Sequence, residues 1–436
     1  MTECNQSEFG FEASGRREIV ARFDGGAISS DGGAFLLRQT DKRLNLLPRL
    51  AECFLDGRNP DPIEHTVMEM ISQRVYGLAL GYEDLNDHKQ LRTDPVFGIP
   101  AGRSNLEEPL AGKSTLNRME LETGAKDRYK KITFWRPALD ELLVTMVLES
   151  HRAAPGEIVL DVDTTDLPWH GKQEGRFFHG YYGHYCYLPL YVFCGEHVLC
   201  ARLREANRDA AFGTLGDLER IVVQIRASWP EVKIIARGDS GFCRNELMSW
   251  CESNGVDFLF GLARNRRLRK IIGAEMNEAA RELAKTGKAA RVFSEFRYGA
   301  KKTSKGGWDR ERRVVAKAEC IPGKENSRFV VTSLTSEEAD AKAVYEERYC
   351  ARGEMENRIN QTRLYLWAMA YVLVSGLRRL GLQGTELASA QVSAIRTKLL
   401  KIGAQIRVTV RKVWVSMASS YPWQGTYQQV WTNLRC

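Results

Sequence analysis

The 436-residue sequence predicts an α/β fold, with a mixed-sheet core, a β-rich insertion into it, and a mainly helical region in front. Three observations predict this. Up to about residue 150, apolar residues recur at three- and four-residue spacing, in Ala34 to Phe54, Pro62 to Leu78 and Tyr129 to Ser150. Gly/Pro/Asp-rich turns such as Asp56 to Pro62 and Asp94 to Gly102 separate these segments. From Glu157 the apolar period becomes that of strands, and two apolar runs, EIVLDVDTTD and VKIIARGDSGF, each end in acids.

In order, Glu157 to Val162, Tyr185 to Phe193 and Val198 to Leu203 read as three strands. A helix (Asp209 to Ser228), a strand (Val232 to Ala236), a helix (Cys243 to Asn254) and a strand (Val256 to Gly261) follow. Three successive strands and then alternating helix and strand is the order of a ribonuclease-H-like core, whose parallel pair needs helical crossovers. Residues 265–325 interrupt this order with a basic helix (Arg266 to Lys285) and strand-like runs at Ala290 to Tyr298 and Arg312 to Glu319. The apolar run Arg328 to Leu334 resumes the core, and a long helix from Glu337, as far as Leu380, follows it. The expected division is therefore 1–150 (helical), 151–264 (first part of the core), 265–325 (insertion), 326–380 (last core strand and helix) and 381–436 (basic C-terminal region).

Composition narrows the function. A formal charge of +8 permits a nucleic-acid partner, and the distribution says more than the total. From Leu387 to Cys436 there are seven basic residues and no acid, and Arg264, Arg266, Arg267, Arg269 and Lys270 form a second cluster. Each run alone reads as a solvated surface; two of them beside an acidic metal-type set favour a polyanionic substrate. The ten cysteines contain no C-x2-C pair, and the N-terminus lacks the apolar core of a signal peptide. Both point to reduced thiols in a cytoplasmic protein. The longest apolar run, Leu364 to Leu377, is too short to span a bilayer and suits a buried helix, so no membrane partner is expected.

Three acids carry the chemistry. Asp163 stands where an apolar strand breaks into DVDTTD, Asp239 ends a second strand in RGDSGF, and Glu356 lies in the helical stretch YCARGEMEN. Two acids at strand ends and one on a helix can converge to hold a pair of divalent cations, which activate an oxygen nucleophile against phosphate. Asp161 and Asp163 share a strand face by the period of two, so either could be the first ligand; Asp166 lies beyond the strand. Tyr349, Arg352, Glu356 and Arg363 fall at steps of three, four and seven, on one face of an α-helix. An isolated Arg352/Glu356 pair would be a surface ion pair; beside two strand-end acids it favours a site. Other motifs carry less. AGKSTLNRMEL (Ala111 to Leu121) lacks the first glycine of a phosphate-binding loop and reads as a helix capped by Ser114 or Thr115. His170, His179 and His184 have no zinc-ligand spacing, and the aromatic run Phe177 to Phe193 reads mostly as a buried strand.

DVDTTD, RGDSGF and RFVVTSL followed by Tyr349-x2-Arg352-x3-Glu356 resemble the DDE transposases of bacterial insertion sequences. More narrowly, GYYGHYCYLPLYVFCG through ARGEMENRI, with GYEDLND and AGKSTLNR nearer the N-terminus, resembles the insertion sequence 1380 family. The resemblance implies a ribonuclease-H-like core in which Asp163, Asp239 and Glu356 ligate magnesium, or manganese in its place. Tyr349, Arg352 and Arg363 would meet DNA near the scissile phosphate. It implies cleavage at transposon ends and transfer of the 3′-hydroxyl to target DNA, in a homodimer that pairs two ends near the nucleoid. The helical N-terminal region would then bind the terminal inverted repeats, and the basic C-terminal part would clamp DNA.

The chain departs from that pattern at two points. Arg363 stands seven positions after Glu356, where relatives carry lysine or have a basic residue nearby, and the stretch from the glutamate helix to the helix of Trp367 is shorter than in relatives. Two alternatives follow: an internally shortened, inactive copy that only binds DNA, and a metal-dependent nuclease on the same fold.

Overall fold

A computed structural model of the chain describes residues 8–103, 105–106, 108–120, 130–168, 176–300, 307–350 and 361–435. It has two compact units, Asp140–Leu364 and Met1–Leu139 together with Tyr365–Cys436.

The first is built on one mixed sheet. Its main strands are β1 (Glu157–Thr164), β2 (Leu190–Cys194), β3 (His197–Arg202), β4 (Lys233–Gly238), β5 (Asp257–Leu262), β6 (Ala290–Tyr298), β7 (Arg312–Ile321) and β8 (Arg328–Thr332), and the short strand Lys324–Glu325 pairs with the end of β7. Spatially they run β3-β2-β1-β4-β5-β8-β7-β6. β1 pairs antiparallel with β2 and parallel with β4, and β4 is parallel to β5. This is the expected ribonuclease-H-like order, with β8 antiparallel to β5 and the long pair β6-β7 extending the same sheet. The strands of the insertion therefore continue the core sheet.

Alternation along β1, β4 and β5 divides the sheet into two faces. Leu160, Val162, Ile234, Ala236, Phe258 and Phe260 form one core with helices α1 (Thr214–Ser228) and α2 (Asn245–Ser253), through residues such as Ile221, Ile225 and Met248. On the opposite face Ile235 and Leu259, with Val159 beside them, pack against Val344, Tyr345 and Tyr349. Helices therefore cover both faces, as crossovers between parallel strands require.

Several elements differ from expectation. The run Tyr185 to Phe193 is two strands: His184–Tyr187 joins a small sheet with Leu167–Pro168 and Phe177–His179, and β2 begins at Leu190. Pro189 sits at the break and has no N–H for a continuous ladder. The basic helix is also two, Arg266–Ile271 and Gly273–Thr286. The helix after β8 begins as Ala341–Ala343 and passes into a π-helical turn, Val344–Tyr349, in which the Cys350 N–H donates to the Tyr345 carbonyl at 3.1 Å.

In the second unit the helices Ala34–Leu44, Leu46–Glu52 and Val67–Ala79 are flanked by strands. A capping box between Thr66 and Glu69 starts the third of these helices. The segment AGKSTLNRMEL does form a helix, starting at Lys113 just before Ser114. The region is less purely helical than expected: Phe9–Ser14 and Arg17–Ala21 form an exposed hairpin. Ala27–Ser29 pairs with Ala404–Val408, which pairs in turn with Val413–Met417. Buried Arg74 is held between Glu120 and His88. Leu364 to Leu377 falls within the helix Gln361–Gly381, and no described helix is long and apolar enough to cross a membrane.

Candidate active site

The site grows from the register of two parallel strands. In β1 and β4, Arg237 lies opposite Asp161 and Gly238 opposite Val162. The next positions, Asp163 and Asp239, are therefore side by side at the C-terminal ends of adjacent strands. Both are half-buried. The apolar residues of β1 enforce this: Ile158, Leu160 and Val162 face α1 and α2, so Val159, Asp161 and Asp163 face the other way. The Asp239 carboxylate is fixed by its own turn, with Oδ1 accepting from the Gly241 N–H at 2.7 Å.

The remaining acids of DVDTTD are engaged elsewhere. Arg237, almost fully buried, grips Asp161 with two hydrogen bonds, Nε to Oδ1 at 2.5 Å and Nη2 to Oδ2 at 2.7 Å. Its third nitrogen donates to the backbone carbonyl of Arg348. Arg348 itself reaches back to Glu157 at the start of β1. Arg237 thus ties Asp161 to the end of the π-helical turn, and Asp161 is an anchor of the fold. Asp166 lies past the end of β1 and accepts from His184 Nε2 at 2.7 Å.

Tyr349 is brought to the acids by the neighbouring strand. A Cβ built on Gly261 of β5 would lie 2.5 Å from the Tyr349 hydroxyl, 3.0 Å from the Ser240 nitrogen and 3.2 Å from the Asp239 carbonyl carbon. Only glycine lets the tyrosine hydroxyl and the Asp239 turn meet over β5. Tyr182, from the hairpin between β1 and β2, completes the described surroundings. Burial, reinforced by the charges of Asp166, Asp163 and Asp239, raises its hydroxyl to about 12. It stays protonated and can donate a hydrogen bond. Tyr191, opposite Asp163 on β2, is buried, and its hydroxyl has no hydrogen-bond partner among the described residues.

Of the expected site residues, Asp163, Asp239 and Tyr349 are thus brought together. Glu356 and Arg352 lie outside the described residues. Arg363 is half-buried in the first turn of the helix Gln361–Gly381. The single α-helical face expected for Tyr349, Arg352, Glu356 and Arg363 does not begin as assumed. Tyr349 closes a π-helical turn, so the described part of that face is not α-helical.

Sequence reasoning missed Arg237, Gly261 and the Asp166–His184 pair. Arg237 was findable: it stands two residues before Asp239, hence on the same strand face. Among the described residues no group of three His, Cys, Asp or Glu side chains converges as a metal site needs. Asp163 and Asp239 supply hard carboxylate oxygens from strand ends, donors of the kind that a magnesium-type ion takes.

No curated protein matches the chain. A cryo-EM structure of a piggyBac transposase synaptic complex with hairpin DNA matches over 85% of this chain and 79% of that one, at 12% identity and a TM-score of 0.36. A family model described as "Transposase DDE domain group 1" matches residues 11–363 and 359–436, two segments that overlap at 359–363. That match runs through both strand-end aspartates and over nearly the whole sequence, and the chain belongs to this family of DDE transposases.

Proposed function

We propose that the chain is an insertion-sequence transposase of the insertion sequence 1380 type. It cuts DNA at the ends of its element and transfers the 3′-hydroxyl to target DNA. The observation that carries this reading is the register that sets Asp163 beside Asp239 at paired parallel strand ends, on the face that the Tyr349 segment approaches. In this reading Asp163, Asp239 and Glu356 hold divalent metal, magnesium or alternatively manganese, which lowers the pKa of the attacking oxygen and neutralises charge at the scissile phosphate. The chain's own groups do the rest. Arg237 keeps Asp161 out of the ligand set and fixes the segment that carries Tyr349. Tyr349, Arg352 and Arg363 contact phosphates beside the cut, and protonated Tyr182 donates to an oxygen there. A homodimer pairs two terminal repeats, with the N-terminal region on the repeats and the basic C-terminal segment along the DNA.

The test is cleavage of a labelled duplex carrying the element's own ends, with magnesium or manganese, by the native chain and by Asp239→Ala. Metal-dependent nicking at the end that is lost in Asp239→Ala supports the reading, and strand joining separates a transposase from a nuclease. A second reading, an internally shortened copy that binds the repeats without cutting, is favoured by one observation: the family match comes in two segments that overlap at residues 359–363. It predicts repeat binding that is unchanged by Asp239→Ala and no nicking with either metal.

A further inference from the structure

The strands Ala404–Val408 and Val413–Met417 form a two-stranded ribbon, and among the described residues only its base is joined by a third strand: Ala27–Ser29 pairs with Ala404, Gln405 and Ile406. Beyond Ile406 every residue from Arg407 to Trp414 is exposed. The tip is nonetheless a fixed turn. The Thr409 N–H donates to the Lys412 carbonyl at 2.8 Å, the Lys412 N–H to Thr409 Oγ1 at 3.1 Å, and that hydroxyl to the Lys412 carbonyl at 2.7 Å. Val410 stands at the apex, bare to solvent, with Arg411 and Lys412 after it. Behind them Trp414 is flanked by two cations, Arg407 at 5.9 Å and Lys412 at 5.4 Å from the ring centroid.

We propose that this ribbon grips duplex DNA without reading its sequence, with Arg407, Arg411 and Lys412 on phosphates and Val410 pressed as an apolar wedge against a base step. The partner, DNA, rests on the transposase reading; the mode of contact rests on the ribbon. Charge selects a polyanion, because the 50 residues from Leu387 to Cys436 contain no acid. Shape selects a duplex, because a two-stranded ribbon fits a DNA groove. An exposed valine at a rigid basic apex has no gain in solvent, whereas apolar wedges between base steps kink DNA and increase the protein surface it wraps. Val410 offers no hydrogen bond, so it cannot select a base.

The experiment uses the full chain without divalent metal, so that cleavage plays no part, and a duplex of arbitrary sequence labelled at both ends for energy transfer. Arg411→Ala with Lys412→Ala should lower the slope of log K against log salt by about 2, near 0.9 per lost phosphate contact. Val410→Ala should keep that slope and lose the end-to-end bend. Both variants change exposed residues only, and circular dichroism checks that each is folded. An unchanged slope in the double variant overturns the grip, and an unchanged bend in Val410→Ala overturns the wedge. Binding of anionic lipid vesicles with the same loss in the double variant would assign the ribbon to a membrane surface instead. A native chain that binds no duplex at all sinks the transposase reading itself, whereas native binding indifferent to the ribbon sinks only this proposal.

Discussion

Replacing Arg237 with methionine should weaken the catalytic half of the sheet by about 3–4 kcal/mol. The Arg237 side chain is 7% exposed and that of Asp161 16%, so the pair is close to fully desolvated. Breaking a buried pair from one side costs about 3–5 kcal/mol, because the surviving charge has neither water nor partner. The residual exposure of Asp161 puts this case near 3, and the Arg348 carbonyl that loses its donor adds about 1. The chain has two units, so the loss is read in the unit that carries the pair. Hydrogen exchange of the amides in Glu157–Thr164 and Lys233–Gly238 reads the loss locally. The double variant Arg237→Met with Asp161→Leu should recover most of that protection, because apolar replacement of both partners removes the buried charge. It should not recover cleavage, because Tyr349 has lost the link that fixes its segment. A double variant as unprotected as the single one, or a single variant within 1 kcal/mol of native, would refute the argument that a desolvated charge sets the cost.

Gly261→Ala should cost about 1–3 kcal/mol by overpacking and abolish nicking, since the new methyl meets the backbone of Ser240 and Asp239 as well as the Tyr349 hydroxyl. Adding Tyr349→Phe should restore part of the stability in thermal unfolding but not the backbone contacts; native stability and cleavage in the single variant would sink this account. Burial, with the adjacent Arg74 charge, lowers His88 from 6.5 to about 3. The unfolded chain takes up this proton near pH 6.5 and the folded one only near 3, so the His88 contribution is full above pH 6.5 and lost as pH falls between the two. Acid unfolding of His88→Gln should therefore be flatter than native across that window, and an identical profile would remove His88 as a cause.

The core was legible because alternation, acids at strand ends and helix-strand order all stated the same topology. β1 and β4 ended close to where their apolar runs broke, so the convergence of Asp163 and Asp239 could be read before the register was known. The choice between Asp161 and Asp163 could not be read, because both share a face. The structure adds a partner for Asp161 that lies 76 residues away, Arg237. The π-helical turn at Val344–Tyr349 was hidden for a different reason: its residues pack against Ile235 and Leu259, more than 80 positions away, and local sequence does not encode such contacts. The two-strand break was legible at Pro189, which has no N–H for a continuous ladder.

The geometry of the acid pair carries its own stability cost. Neighbouring strands lie about 4.8 Å apart, so Asp163 and Asp239 at adjacent strand ends hold two like charges side by side, an arrangement that destabilises a sheet. Hydrophobic alternation gives no reason for it, since one residue less of strand would separate them. Sites built for chemistry keep such costs, and removing them commonly raises stability while function is lost. Asp239→Asn leaves Oδ1 able to accept from the Gly241 N–H and removes one charge. In chelator the variant should therefore melt above the native chain. Magnesium or manganese should raise the native melting temperature and leave that of Asp239→Asn almost unmoved, because binding to the folded state alone stabilises it by mass action. If Asp239→Asn instead melts below native in chelator, or both chains respond to metal alike, the pair is not a cation site and its adjacency needs another cause.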